Sequence, residues 1–194
     1  IYPRISSTTD VALDFNDKYA EVDKEDLLKD LGTNDPKTLT SALKRVRSKG
    51  NEKVIPSLFK IIEESTEENI VEESKKIILE LKSTAAIPYL LEELENNKNS
   101  EIRELVLNSF WQTGFNAHQH MDKFVTAATK GTFMEAFEAY TIIDNLEGPF
   151  QEESIMEAQL ILKSYFSESN EEDEKYEILK NIAKQLANYE LTIQ

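Results

Sequence analysis

The side chains of this sequence that could do chemistry are few, and their spacing argues against most of it. His118 and His120 are its two histidines, and with Asp122 they spell H-x-H-x-D. Imidazole and carboxylate can share a metal ion, but residues two apart on a helix point about 200° away from one another, whereas i and i+4 converge. The stretch from Asn116 to Lys130 reads as helix, so it predicts surface histidines and no metal site. The acidic pairs Glu63-Glu64, Glu67-Glu68, Glu72-Glu73 and Glu92-Glu93 could supply a general acid and base or hold calcium. None has EF-hand spacing or the glycine that the loop requires, and the run Asp14 to Lys18 departs from the pattern at that same glycine. The absence of cysteine removes disulfides, thiolate ligands and a cysteine nucleophile. With no Gly-rich phosphate loop, G-x-S-x-G or H-E-x-x-H, the expectation is a protein with no catalytic residue, no metal and no cofactor.

Charge narrows the partners. The net charge is −15 over 194 residues, and it is unevenly placed: +1 over 1–62, −7 over 63–96, +1 over 97–130 and −10 over 131–194. A field of this sign opposes a polyanion, because nucleic-acid affinity depends on Lys and Arg displacing counterions from phosphates. Nucleic acid is not an expected partner. The one basic cluster, Lys44, Arg45, Arg47, Lys49 and Lys53, reads as a solvated helix face. No run resembles a membrane span, and the opening IYPRISSTTD has neither a Met nor an apolar signal core. The expectation is therefore a trimmed or processed chain, with the cytoplasm favoured and an exported or larger parent protein as the alternative.

The elements that must position these residues announce themselves by repetition. Ile55-Pro56-x-Leu58 recurs as Ile87-Pro88-x-Leu90 at an offset of 32, and at that offset Ile70 meets Ile102 and Ile78 meets Phe110. A fixed period of this length points to stacked helical pairs, each burying its apolar face against its neighbours. Punctuation supplies the ends: Asp35-Pro36 opens a helix that Gly50 closes, Gly114 ends another, and Thr132-Phe-Met-Glu135 is a capping box. Ten helices follow, near 24–31, 36–49, 51–64, 66–82, 83–96, 99–113, 116–130, 132–147, 150–167 and 172–190. The fold class is all-α, a right-handed superhelix of about five helical pairs. Residues 1–22 read as an N-terminal extension and 23–192 as one helical-repeat domain.

The phrase Ala86-Ile87-Pro88-x-Leu90-Leu91-x-x-Leu94, an Asn-rich turn and then Glu101-Ile102-Arg103 resembles the HEAT repeat. The likeness includes the proline of the first helix (Pro88, and Pro56 one unit earlier) and the Ile-Arg that opens the second. It weakens in the 54–82 unit, where Val71-Glu72 replaces Val-Arg, and again over 117–147, where Met121, Phe124, Val125 and Ala128 keep only the spacing. The resemblance implies a curved stack with second helices on the concave side, used mainly to hold proteins or peptides. It also implies that Arg103 is structural, bonding a carboxylate or carbonyl of its own or the next repeat. HEAT-like enzymes that hold a small ligand in the groove, or an accessory domain of a longer protein, are the alternatives.

On this reading the recognition face comprises the second helices, Asn69–Leu81, Ile102–Thr113 and Met134–Leu146, and binds a basic protein or peptide. Phe110, Trp111, Phe115, Phe124, Phe133, Phe137 and Tyr140 crowd into 31 residues and are expected to be mostly core. Trp111 lies off the Ile102–Val106–Phe110 stripe, beside Leu107 at i, i+4 and near Glu104 and Asn108. These four are the candidate partner contacts, with Trp111 and Leu107 as the apolar anchors. Ile87, Leu90, Ile102, Val106 and Phe110 are expected in one core.

Overall fold

A repeated local module organises the chain. In the computed structural model, which describes residues 23–169 and 171–193, the 3₁₀ turn Glu52–Val54 leads into the α-helix Ile55–Glu64. The turn Thr84–Ala86 leads into Ile87–Asn96, and His118–His120 leads into Met121–Lys130. Each module is a three-residue 3₁₀ turn followed by a ten-residue helix. The first two are offset by 32 at every boundary and the third follows by 34. Asn51 and Ser83 open the first two turns alike, each side chain accepting from the N–H two residues on. Pro56 and Pro88 fall at the second residue of their helices, where the missing N–H costs no intrahelical bond, and their rings face solvent.

Ten α-helices span the described residues, which contain no strand: α1 (23–31), α2 (Pro36–Lys49), α3 (Ile55–Glu64), α4 (Glu68–Leu79), α5 (Ile87–Asn96), α6 (Ser100–Thr113), α7 (Met121–Lys130), α8 (Phe133–Asp144), α9 (Glu152–Glu168) and α10 (Tyr176–Ile193). None is long and apolar enough to cross a membrane. The expected extension over 1–22, with the Asp14 to Lys18 run, lies outside the described residues. Local chemistry accounts for most ends. Asp35 accepts from the Thr38 N–H (2.9 Å) and hydroxyl (2.6 Å), which holds its carboxyl below the usual range. Gly114 ends α6 at φ 69°, the left-handed region where a side chain is strained.

The chain divides into two compact units between Ser74 and Lys75, within α4. In the N-terminal unit Leu27, Leu31, Leu39, Leu43, Ile55, Leu58, Phe59 and Ile70 are buried. Its basic cluster is more than a solvated face: Arg45 pairs with Asp30 (2.6 Å), Arg47 with Glu73 (2.6 Å) and Lys49 with Asp23 (3.4 Å).

In the C-terminal unit, α5 packs on α6, α7 on α8 and α9 on α10, while α7 also meets α9 and α8 meets both α6 and α10. The hydrogen bonds Thr132 to Glu104 and Trp111 to Glu138 rise together along the two helices, so α6 and α8 run parallel. Leu90, Ile102, Val106 and Phe110 are buried as expected, and Phe110 meets Phe124 edge-on at 5.0 Å. Ile87 is only half-buried, because Ala86 takes the inward place at the start of α5. Asn116 does not cap the helix after it. Its amide instead pairs with the main chain of Glu147, donating to the carbonyl (2.8 Å) and accepting from the N–H (3.3 Å).

Candidate functional site

Two sets of side chains converge in the C-terminal unit: a buried ionic lock and an exposed apolar band. The lock begins with the capping box of α8. Thr132 Oγ1 accepts from the Glu135 N–H (3.2 Å) and Glu135 Oε2 accepts from the Thr132 N–H (2.7 Å). The same carboxylate, fully buried, takes both Nε and Nη2 of Arg103 from α6, the latter at 3.2 Å, and Arg103 Nη1 donates to the Asn97 carbonyl (2.9 Å). The bond to Glu135 pushes the Arg103 guanidinium still further toward its charged form. One carboxylate thus caps its own helix and fastens its neighbour. The capping box was legible in the sequence, and the repeat resemblance implied a carboxylate or carbonyl partner for Arg103; that Glu135 is that carboxylate was not legible.

Beside the lock opens a cleft of about 480 Å³ whose lining includes Glu95, Arg103, Lys123, Lys130 and Glu135. Lys123 is paired with Glu95, which raises the lysine's pKa, and also faces Asp122 at 3.7 Å. Across the unit, Lys175 donates to the carbonyls of Thr129 and Gly131 (both 2.9 Å), capping the end of α7 with an ammonium group. His118 sits edge-on to Phe150 at 6.1 Å, and no group of three His, Asp or Glu among the described residues is placed to hold a metal.

The apolar band lies on α6 and α8. Trp111 is 43% exposed, and its Nε1 donates to Glu138 Oε2 at 2.6 Å. Leu107, the expected second anchor, is fully buried. It sits about 40° round α6 from Trp111, on the side where Arg103 reaches α8, so the parallel neighbour covers it. Glu104 and Asn108 are half-buried, and Glu104 accepts from the Thr132 hydroxyl (3.1 Å). Two of the three aromatics of α8 also depart from the core expectation: Phe133 is 38% exposed and Phe137 47%, with Met134 at 46% between them, while Tyr140 is half-buried. The buried stripe of α8 runs through Glu135, Ala136, Ala139, Ile142 and Ile143, and Phe133, Met134 and Phe137 lie opposite it. That stripe can be read from the alternation of small and branched residues, and it is the signal that would have exposed Phe133, Met134 and Phe137.

No protein-family model, curated protein or solved structure matches this chain.

Proposed function

We propose that this chain is a non-catalytic protein-interaction module, a HEAT-like α-solenoid of about five helical pairs wound into a right-handed superhelix, which holds a basic protein or peptide on its second helices. The repeated turn-and-helix module supports the repeat reading, as does the pairing of α6 with α8 and of α8 with α10 in the C-terminal unit.

The observation that carries the binding reading is the band itself. Four large apolar side chains, Trp111, Phe133, Met134 and Phe137, are each 38% to 47% exposed on two adjoining helices. Contiguous exposed apolar groups among carboxylates mark interaction sites, whereas isolated ones need no explanation. Interface energy concentrates in such aromatic anchors. The charged groups of the neighbouring cleft favour a structural role, since Arg103 is fastened to Glu135 and Lys123 to Glu95.

Photo-crosslinking tests this reading. A benzophenone amino acid at Met134 should give a discrete protein adduct in native extract that Trp111→Ala abolishes, while the same probe at exposed Lys163 on α9 gives none. Equal adducts at both positions, or adducts indifferent to Trp111, would refute it.

A further inference from the structure

The band carries more chemistry than apolar area alone, and this deepening rests on the recognition face just proposed. Across α8, at about 100° per residue, the exposed and half-buried side chains of this face succeed one another as Glu138, Met134, Thr141, Phe137 and Phe133, with Trp111 bonded at the Glu138 edge. From Phe133 to Thr141 the strip is about 12 Å long, which matches the i, i+4, i+7 stripe of one partner helix. Helices α6 and α8 contain no lysine, and their single arginine, Arg103, is fastened to the buried Glu135. The carboxylates Glu101, Glu104, Glu138 and Asp144 therefore stand on helices that themselves supply no cation beyond Arg103.

One spot on this face is built for a planar cation. The bond from Nε1 to Glu138 fixes the indole ring while leaving much of it open to solvent, and Glu138 Oε1 has no bond among the described residues. A guanidinium laid on the indole can stack on the ring and reach that carboxylate, whereas an ammonium is a compact, more strongly hydrated point charge that cannot stack. We propose that the α6–α8 face binds a basic amphipathic helix and that Trp111 and Glu138 together select an arginine beside that helix's apolar stripe.

The test uses the whole chain and two synthetic amphipathic peptides of about 18 residues, five helical turns. Both carry leucine on one face; they differ in having arginine or lysine along its edge. Titration calorimetry should find the arginine peptide tighter by about five- to tenfold. Glu138→Gln and Trp111→Ala should each erase most of that preference, and Trp111→Phe should retain part of it, since a ring remains without the bond to Glu138. Circular dichroism on each variant checks that the helices persist. Equal affinity for the two peptides, with both weakened by Phe137→Ala, would overturn the arginine selection and leave the recognition face standing. Absence of saturable binding, or binding that survives combined Trp111→Ala and Phe137→Ala, would overturn both.

Discussion

Replacing Arg103 with Ala takes two charge-assisted bonds from Glu135 and leaves its carboxylate with the Thr132 N–H alone, at a position with no solvent exposure. Removing one member of a buried pair costs about 3–5 kcal/mol, because the remaining charge stays desolvated. Here the adjacent cleft lets water approach once the guanidinium is gone, so the lower end, about 3 kcal/mol, is expected. Trp111 is the chain's one tryptophan, so urea unfolding followed by its fluorescence reports on the unit that holds the pair. With a denaturant slope of about 2 kcal/mol/M, the midpoint should fall by about 1.5 M. Glu135→Gln keeps the shape and loses the charge, and should cost about 1–2 kcal/mol. The double variant should be less destabilised than the two singles added together, by about 1–3 kcal/mol, because each single removes the same contact. A midpoint shift under about 0.3 M for Arg103→Ala, or strict additivity in the double variant, would refute the assignment of this pair as a lock.

Three further outcomes follow from particular contacts. A Cβ at Gly131 would lie 2.5 Å from Glu135 Cδ and 2.6 Å from the Ala127 carbonyl oxygen, so Gly131→Ala should cost about 1–3 kcal/mol in the same urea assay. Lys175→Met should destabilise by about 1–2 kcal/mol by uncapping α7, and amide exchange should show the gain in opening concentrated at residues 128–131. The Tyr189 hydroxyl donates to the carbonyls of Ile143 and Leu146, and burial raises its pKa. Its contribution is thus complete below the unfolded tyrosine value of about 10 and is lost as pH rises through the higher folded value. Tyr189→Phe should cost about 1 kcal/mol at neutral pH and make the alkaline fall in stability shallower, which melting curves between about pH 8 and 11 would measure.

Several helix ends were legible in the sequence because they depend on chemistry within a few residues, whereas the start expected at Asn116 was not, its amide being taken by the main chain of Glu147. Asp35 with Thr38, Gly50, Gly114 and the Thr132–Glu135 box each act locally, and all four stand where their residue types place them. Burial at the margin of a stripe was less legible, because it depends on which neighbour arrives. Leu107 and Trp111 are one helical turn apart, yet α8 covers the first and leaves the second half-exposed. Glu135 shows the same limit: its role toward Thr132 is a matter of spacing, while its role toward Arg103 exists only once α6 and α8 lie side by side. Phe133 and Phe137 stand outside the core because the buried stripe of α8 passes on the far side of the helix, which aromatic density in the sequence does not reveal.

The turn-and-helix module makes this chain its own source of interchangeable parts. Val54 and Ala86 enter their helices with nearly the same backbone angles, φ −79° and ψ −15° against φ −71° and ψ −25°. The helices close alike at Ser65 and Asn97, with ψ 136° and 132°. A splice from Val54 directly to Ile87 would therefore ask no residue at the junction for a conformation it does not already adopt, and a duplication at the same point would be equally smooth. Length in such a chain is an editable quantity, open to recombination between like positions without the invention of a new turn.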